Sequence, residues 1–455
     1  MKLFFISTFL LGISGYSVDP SLPFLPPDKV ILSDYHNHNQ LQDILTTLAT
    51  ADFAEKYRIG RSVEGREIEA IKISGGPGSL SERPLLKPMV KYIGNMHGNE
   101  AVGRELLLGL AVQLVNMYGE DERITKLLNT VEVHLVPTMN PDGFEREQRE
   151  NVNGVDLNRN FPTWKELGNS REELKKGKEK ETAAMIDWIL DNDFLLSINF
   201  HDGAVVANYP WDDRNMRPST VSKRFLSDGE NNRSPDTKVF ENLAKLYSSR
   251  HTTMHVGGAS CVSAGSFDYF EDGITNGVDW YPIAGGMQDF NYLFTNCMEI
   301  TVELSCNKKP GADKLQGEYA KNIESMLAYI ESAEKAVRGL VMDSNNNPVA
   351  DAEVIVEGEG KIITTTSRGE YWRLLIPGKY RFKAVGNGQE SDWTEVDVTD
   401  GPGPRIDLRL TKAAEETTVN PNTTIENEND IKGIQVEIAP GWCLEITIFR
   451  LPGWC

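Results

Sequence analysis

The chain has little that would hold it in a membrane or on a nucleic acid. Its 455 residues carry 47 basic and 67 acidic side chains, for a formal net charge of −20. No basic face can dominate such a surface, which argues against nucleic acid as a partner. The apolar runs at residues 3–13 and 446–451 are short, whereas a membrane-spanning helix needs about 20 apolar residues. We therefore expect no transmembrane segment, and association with a membrane surface stays open.

The first of these apolar runs has the features of a secretory signal peptide. Met1 and Lys2 give it a short positive start, and small residues surround Ser17 at its end. This pattern is typical of a segment that is cleaved on entry into the secretory route. We expect a signal peptide at residues 1–17 and a secreted protein, in the extracellular space or the secretory-pathway lumen. There the few cysteines, five in all, can form disulfides, and sequons at Asn232 and Asn422 can carry glycans.

The rest of the chain divides into three zones by composition. Residues 26–335 alternate apolar strands with helical stretches, which predicts an α/β fold with a mixed sheet covered on both faces. Residues 336–411 contain short alternating runs punctuated by glycine and proline, the pattern of a small all-β sandwich. Residues 412–455 combine a Glu-, Thr- and Asn-rich linker with a tail that repeats Pro-Gly-Trp-Cys.

Hydrophobic periodicity places the main elements of the first zone. Strands are predicted at residues 68–73, 89–93, 131–137, 194–200 and 298–304. Helices are predicted at residues 41–47, 103–117, 179–190, 237–249 and 317–337.

Two metal-binding groups follow the strand predicted at residues 89–93. His97 and Glu100 lie three residues apart in the turn before the next helix. At the carboxyl end of a strand, both side chains can point into the crevice beside an open sheet. A catalytic zinc of the His2Glu type needs one more protein ligand and leaves one position for water.

The scarcity of histidine, seven residues in the whole chain, keeps the search for the third ligand short. Five of them lie in the polar N-terminal segment, inside a strand, or at the end of a helical stretch: His36, His38, His134, His251 and His255. We expect His251 and His255 at the surface, because they have no acidic partner in place. His201 ends the strand predicted at residues 194–200 and so shares a sheet edge with His97, which favours it as the ligand.

Six motifs in one order resemble those of the zinc metallocarboxypeptidases. They are His-Gly-Asn-Glu at 97–100, Asn-Pro-Asp-Gly-Phe-Glu at 140–145, Asp-Leu-Asn-Arg-Asn-Phe-Pro at 156–162, Asn-Tyr-Pro at 208–210, Gly-Gly-Met-Gln-Asp at 285–289 and Glu-Ile-Thr-Val-Glu-Leu-Ser-Cys at 299–306. The resemblance is to the regulatory branch that includes carboxypeptidases N, E, M and D. It implies a metallocarboxypeptidase catalytic domain followed by a transthyretin-like sandwich.

The resemblance implies one zinc ion per chain, bound by His97, Glu100 and His201. Asp156 would accept a hydrogen bond from His97 and fix its tautomer. Glu303 matches the general base that takes a proton from the activated water and passes it to the leaving amine. A glutamate inside an apolar run would otherwise need a cationic partner.

Four further residues match the groups that hold the end of a peptide and the developing charge. Arg159, with Asn158, matches the clamp for the terminal carboxylate, which arginine binds through two parallel hydrogen bonds. Tyr281 matches the mobile tyrosine that closes over the substrate. Arg149 matches the arginine that steadies the oxyanion, although its surroundings also fit a solvated charged loop.

The resemblance also implies a specificity for basic C-terminal residues. Asp212 falls where the regulatory branch places an acid that pairs with substrate Arg or Lys, and Gln288 falls on its polar companion. Asp213 is the alternative to Asp212. One departure is Asp202, which stands where relatives have glycine; an extra carboxylate there either strengthens zinc binding or crowds the cleft.

The cysteines are predicted to pair within their own zones. We predict a disulfide between Cys261 and Cys297 in the catalytic domain and a buried free thiol at Cys306. Cys443 and Cys455 are predicted to close a hairpin in the tail, with intermolecular pairing as the alternative.

These patterns predict a secreted, monomeric zinc carboxypeptidase that removes a single C-terminal Arg or Lys from peptides and proteins. Two other classes of protein remain as alternatives. A binding protein that keeps the fold and loses the chemistry conflicts with the intact ligand and base positions. A zinc acylase that acts on small acylated amino acids conflicts with Asp212, Gln288 and the sandwich.

Overall fold

The computed structural model describes residues 32–413, except 228, 230–231, 258–260 and 262–268. The predicted signal peptide, the sequon at Asn422, the linker beyond residue 413 and the Cys443–Cys455 pair lie outside the described residues. Within the described range, no helix combines the length and the apolar character needed to cross a membrane.

An eight-stranded sheet forms the centre of the first zone. Its strands are β1 (Ala54–Arg61), β2 (Glu67–Ile73), β3 (Met89–Ile93), β4 (Glu132–Val136), β5 (Phe194–His201), β6 (Val206–Tyr209), β7 (Ile274–Asn276) and β8 (Met298–Glu303). They are arranged in the order β1-β2-β4-β3-β5-β8-β6-β7. The central strands β4, β3, β5 and β8 run parallel, whereas β2 pairs antiparallel with β4 and β6 pairs antiparallel with β8. The mixed sheet predicted from the sequence is confirmed.

Helices cover both faces of this sheet. They are α1 (His38–Leu48), α2 (Val102–Met117), α3 (Glu122–Thr130), α4 (Pro141–Glu145), α5 (Arg171–Lys175), α6 (Lys180–Asp191), α7 (Thr237–Arg250), α8 (Gly277–Trp280), α9 (Met287–Phe294) and α10 (Leu315–Glu331). One apolar core lies between the sheet and α1, α2, α3, α7 and α10, and a second lies between the sheet and α6 and α9. Alternate residues of the central strands enter the two cores, because successive side chains of a strand point to opposite faces. This explains why β3, β5 and β8 are buried along their whole length and read as continuous apolar runs.

All five predicted strands and all five predicted helices are present, with shifted ends. The largest shift is in α10, which ends at Glu331 rather than residue 337, before a 3₁₀ turn at Ser332–Lys335. The sequence reading missed β1, whose burial pattern is irregular and whose side chains are largely charged. It also missed the short strands β6 and β7, which are too brief to show a period.

The second zone is an all-β sandwich, as predicted. Its strands are β9 (Val337–Met342), β10 (Glu353–Val356), β11 (Ile363–Thr364), β12 (Glu370–Arg373), β13 (Gly378–Gly386), β14 (Gln389–Glu390), β15 (Thr394–Val398), β16 (Leu408–Arg409) and β17 (Lys412–Ala413). One sheet follows the order β11-β10-β13-β14-β17, with β15 also paired to β13, and the other follows β12-β9-β16. Val341, Val354 and Phe382 belong to the core of this sandwich.

The catalytic-domain disulfide joins Cys261 to Cys306, so the predicted Cys261–Cys297 pair is wrong, as is the free thiol at Cys306. The reason is the direction of β8, which Cys297 precedes and Cys306 follows. Because a strand rises about 3.3 Å per residue, these cysteines lie at opposite ends of the sheet. Cys261 packs beside Ala204 at the carboxyl edge, within reach of Cys306. Cys297 is the buried free thiol.

Candidate active site

The carboxyl ends of three adjacent parallel strands build the centre of the site. The register pairs His201 of β5 directly with Glu303 of β8. On the other side of β5 lies β3, and the turn after β3 carries His97 and Glu100 just before α2 begins at Val102. Four residues from distant parts of the sequence therefore meet at one edge of the sheet, as open α/β sheets allow.

Three of these side chains converge on one point. Nδ1 of His97 and Nδ1 of His201 each lie 2.9 Å from Oε2 of Glu100, and 3.0 Å from each other. All three residues are buried, and their ligand atoms lie within 4.8 Å of one another. Two imidazole nitrogens and a carboxylate oxygen that face one another fit a divalent cation, and this ligand set suits zinc.

The outer contact of the His97 imidazole fits the same role. Nε2 of His97 lies 3.0 Å from Oδ1 of Asp156. A proton held on Nε2 by that carboxylate leaves the lone pair on Nδ1 for a metal. The site is also fixed at Glu100, whose Oε2 accepts a hydrogen bond from the backbone N–H of Asp202 at 3.2 Å.

The unusual Asp202 carboxylate is held against a helix end. Its Oδ2 accepts a hydrogen bond from the backbone N–H of Val102 at 3.1 Å. Val102 is the first residue of α2, whose N-cap Ala101 supplies no side-chain acceptor. Asp202 therefore satisfies a free N–H of that helix end, although it also lines the cleft. Burial, with Glu100 nearby, raises the pKa of Asp202 well above its usual range.

Two cations contact the other oxygen of Glu100. Nη1 of Arg149 lies 3.1 Å from Oε1, and Nζ of Lys308 lies 2.7 Å from the same atom. The Arg149 guanidinium also binds Oδ2 of Asp156, through Nε at 3.2 Å and Nη2 at 3.0 Å. Arg149 is thus part of the cleft rather than of a solvated loop. Lys308 was missed by the sequence reasoning, because its position in the loop after β8 carries no periodic signal.

Glu303 is buried beside this cluster, and its Oε2 has no hydrogen-bond partner among the described residues. Burial, and then the nearby Glu100 carboxylate, raise the pKa of Glu303 to about 8. A cation bound at the His97–Glu100–His201 cluster would lower this pKa again. The arrangement leaves one carboxylate oxygen available to accept a proton from a molecule in the cleft.

A second group of side chains lines the cleft farther from the cluster. Oδ1 of Asn158 accepts a hydrogen bond from the backbone N–H of Met287 at 3.0 Å, which fixes the amide at the start of α9. Asn158 and Arg159 lie in one 3₁₀ turn, Leu157–Arg159. The partly exposed guanidinium of Arg159 lines the cleft. Tyr281 is 46% exposed and its ring packs edge-on against Trp280, with centroids 4.7 Å apart. The structure therefore brings all three predicted residues into one cleft.

The predicted specificity acid lies at the inner end of this cleft. Asp212 is buried, and its Oδ1 accepts hydrogen bonds from Nε2 of Gln288 at 3.1 Å and from Nδ2 of Asn208 at 3.2 Å. The remaining amide oxygens, Oε1 of Gln288 and Oδ1 of Asn208, are buried without a hydrogen-bond partner in the described part of the chain. Burial raises the pKa of Asp212 to about 6. Asp212 and Asn208 line the cleft, whereas Gln288 contacts Asp212 without lining it. The pocket therefore presents a buried carboxylate, which suits a group with several N–H donors.

The backbone around Asp212 explains why this residue, and not Asp213, lines the cleft. Asp289 accepts hydrogen bonds from the backbone N–H groups of Asp212 at 3.1 Å and of Asp213 at 3.0 Å. Oδ1 of Asp213 is used by the N–H of Asn215 at 2.8 Å. A Cβ at Gly277 would lie 1.8 Å from Oδ1 of Asp212, so a side chain there would displace the carboxylate. Asn208 and Asp289 lie in quoted motifs, but sequence reasoning assigned neither of them to the site.

The other histidines lie away from the cluster. His36 contacts Glu105 at 2.6 Å, and His134 contacts Glu132 at 3.0 Å. His255 is exposed, but the surface prediction for His251 is wrong. Nδ1 of His251 accepts hydrogen bonds from two backbone N–H groups in the turn that follows α7, and this capping role buries the ring.

Comparison with known proteins agrees with this geometry. The model of the zinc carboxypeptidase family matches residues 41–325, and that of the carboxypeptidase regulatory-like domain matches residues 336–411. The chain belongs to the zinc carboxypeptidase family and is a zinc-dependent metallocarboxypeptidase.

Similarity to curated proteins places it among the regulatory carboxypeptidases of the N and D type. The carboxypeptidase N catalytic chain of Rattus norvegicus is 40% identical over 435 residues, which span 88% of this chain and 91% of that protein. Carboxypeptidase D of Drosophila melanogaster is 39% identical over 424 residues, which span 90% of this chain and 29% of that protein.

A solved structure supports the fold. The crystal structure of thrombin activatable fibrinolysis inhibitor is 19% identical and superposes with a TM-score of 0.52, over 68% of this chain and 76% of that one.

Proposed function

We propose that this metallocarboxypeptidase removes a single C-terminal Arg or Lys from peptides and proteins. The observation that carries the proposal is the Asp212 pocket, which opens into the same cleft as the candidate metal cluster. Its buried carboxylate matches a cationic side chain that donates several hydrogen bonds. The names of the curated relatives, carboxypeptidase N and carboxypeptidase D, support an exopeptidase role.

We assign one zinc ion per chain to His97, Glu100 and His201, with Asp156 holding the His97 ring. Zinc bound there polarises a peptide carbonyl and lowers the pKa of a water molecule. The three ligand atoms already lie within 4.8 Å of one another, so little rearrangement is needed to bind the ion. Lys308 and Arg149 reduce the negative charge that Glu100 contributes.

Proton transfer is assigned to Glu303. Its free Oε2 takes a proton from the attacking water and delivers it to the nitrogen of the leaving amino acid. The buried setting keeps bulk water from competing for that oxygen. Arg149, with its guanidinium fixed by Asp156, stabilises the negative charge that develops on the carbonyl oxygen.

Recognition of the chain end is assigned to Arg159, Asn158 and Tyr281. Arg159 binds the terminal carboxylate through two N–H groups, and the Nδ2 group of Asn158 supports it. Tyr281 is the exposed member of this group and is placed to cover the bound residue. A carboxylate-binding group between the metal cluster and Asp212 limits cleavage to the last peptide bond.

The basic side chain of the last residue would enter the Asp212 pocket. A neutral side chain would leave the buried Asp212 carboxylate without a cationic partner, which costs about 1–3 kcal/mol. This cost falls on neutral substrates, so the pocket selects basic ends mainly by rejecting others.

We also propose that the protein is secreted. The predicted signal peptide supports this, and the Cys261–Cys306 disulfide fits an oxidising compartment.

The proposal is tested with blocked dipeptides that end in Arg, Lys, Ala or Glu, with and without a zinc chelator. We expect release of Arg and Lys that stops with the chelator and returns with added zinc, and release of Ala and Glu at least a hundredfold slower. Activity on small acylated amino acids in place of peptides would favour the acylase alternative. Zinc binding without release from any end would favour the binding-protein alternative.

A further inference from the structure

One hairpin of the β-sandwich reaches into the catalytic domain. Residues 357–362 connect β10 and β11, and Lys361 forms an isolated antiparallel bridge with Phe225 of the catalytic domain. The backbone N–H of Leu226 donates to O of Gly360 at 2.7 Å, and that of Ile362 donates to O of Arg224 at 2.8 Å. The hairpin is therefore fixed to the catalytic domain by main-chain hydrogen bonds.

The Lys361 side chain extends from this hairpin to the C-terminal end of α9. Its ammonium donates to the backbone O of Tyr292 and, at 2.8 Å, to the backbone O of Thr295, and lies 3.8 Å from the centroid of the Tyr292 ring. Carbonyls in the last turn of a helix lack intrahelical partners, so a donor from outside stabilises that end. Burial lowers the pKa of Lys361, and a neutral amine would still supply the two N–H donors.

The opposite end of α9 forms part of the cleft. Met287, the first residue of the helix, donates its backbone N–H to Asn158, and Gln288 donates to Asp212. Asp289 holds the backbone of Asp212 from the same turn. The eight-residue helix α9 thus contacts Lys361 at its C-terminal end and the proposed specificity pocket at its N-terminal end.

A second line of contacts runs through the Tyr292 side chain. Its ring packs against Trp211, with centroids 5.2 Å apart, and Trp211 directly precedes Asp212. Its hydroxyl donates to Oδ2 of Asp236 at 2.7 Å. Arg373 of the sandwich binds both oxygens of Asp236, at 2.7 Å and 2.6 Å. Lys361 of the sandwich therefore contacts Tyr292 at its backbone and ring, and Arg373 acts on its hydroxyl indirectly, through Asp236 of the catalytic domain.

We propose that the β-sandwich positions the specificity pocket of the catalytic domain through α9, with Lys361 and Arg373 as the positioning residues. The inference rests on the proposed function, because it concerns the pocket that selects the basic side chain. It gives the sandwich a direct part in substrate selection. Loss of the Lys361 contacts lets α9 and Asp212 shift, while the metal cluster on the strand ends stays in place.

The test compares Lys361→Met with a matched change elsewhere in the same interface. Lys361→Met keeps the buried apolar stem and removes the donors. Glu370→Gln is the control: Glu370 of β12 is also fully buried, and it binds Arg83 and the N–H of Leu86, which belong to the segment before β3. Both variants weaken the interface, but only the first touches α9.

For Lys361→Met we expect KM for a C-terminal Arg substrate to rise roughly tenfold, as expected for a misplaced binding group, with kcat within about twofold and zinc content unchanged. KM for a C-terminal Ala substrate is expected to rise less, because α9 fixes Asn158, which both substrates use, whereas only the Arg substrate uses Asp212. Glu370→Gln is expected to lower Tm without changing either KM. If Lys361→Met yields too little folded protein, Lys361→Gln, which retains a shorter donor, replaces it, with an intermediate rise in KM expected.

Two results would overturn the inference. One is an unchanged KM in the folded Lys361 variant. The other is an equal rise in KM in Glu370→Gln, which would mean that the interface acts only through general stability. A wild-type protein that releases no Arg would instead refute the proposed function, so the two failures are distinguishable.

Discussion

The two ends of the cleft are built in different ways. His201 and Glu303 lie at the ends of β5 and β8, and His97 and Glu100 lie in the turn that joins the adjacent strand β3 to α2. The Asp212 pocket comes from connecting segments and the short helices α8 and α9. Strand ends in a buried sheet are rigid by construction, whereas connecting segments need support from other parts of the molecule. The comparison teaches that chemistry and specificity depend on separate sets of contacts and are separable by mutation.

The largest effect is expected at the rigid end, from Glu303→Gln. The amide keeps the size of the side chain but cannot accept the proton from water. We expect kcat to fall by roughly 10²–10⁴-fold, with KM for a C-terminal Arg substrate nearly unchanged. Steady-state kinetics and metal analysis of the purified variant check this. If Glu303→Gln lost bound zinc as well as activity, the assignment of Glu303 as a base that does not bind the metal would be wrong.

At the other end of the cleft, Asp212→Asn removes the charge and keeps the shape. We expect kcat/KM for a C-terminal Arg substrate to fall about a hundredfold, equivalent to roughly 2.7 kcal/mol. The value for a C-terminal Ala substrate is expected to change little, because that side chain makes no ion pair. Asp213→Asn is the matched control, since its carboxylate is used by a backbone N–H. A larger effect at Asp213 would mean that the wrong acid has been assigned.

A smaller effect on the rigid end is expected from Asp156→Asn. The amide is a poorer acceptor for the Nε2 proton of His97 and a poorer partner for Arg149, so zinc affinity is expected to fall about 10–100-fold. Competition with a chromogenic chelator measures this without any substrate. Glu147→Gln removes the same charge from an exposed position nearby and is expected to leave the affinity unchanged. If Asp156→Asn binds zinc as tightly as the wild type, Asp156 does not contribute to the metal site.

The sequence predicted the rigid end better than the specificity end for a physical reason. Buried parallel strands are visible as apolar runs, and the residues that follow them must lie at one sheet edge, so His97, Glu100 and His201 were found together. Glu303 came from the resemblance to the metallocarboxypeptidases. Lys308 reaches the cleft from a loop and Asn208 from the short strand β6, and Asp289 of the short helix α9 binds the backbone of Asp212. Their positions follow from tertiary packing that no local pattern encodes.

The errors in the prediction have the same origin. Cys297, the predicted partner of Cys261, and Cys306, its actual partner, are close to each other in sequence. They nevertheless lie at opposite ends of the sheet, because β8 runs between them. His251 follows a helix and reads as a surface residue, yet its ring turns inward to accept two backbone N–H groups. Which way a side chain points at the end of an element depends on the contacts available after folding.

The smallest expected effect is a pH dependence of the preference for C-terminal Arg over C-terminal Ala. The pKa of Asp212 is raised from its usual value to about 6, so the carboxyl group is charged above about pH 6 and neutral below it. Substrate attraction by this group is therefore lost as pH falls. We expect the ratio of kcat/KM for C-terminal Arg to that for C-terminal Ala to fall by up to about tenfold between pH 6 and pH 5. Taking the ratio cancels titrations at Glu303 and at the metal ligands, because both substrates use them equally. The same ratio in Asp212→Asn is expected to be flat over this range; a fall that persists in the variant would place the titrating group elsewhere in the cleft.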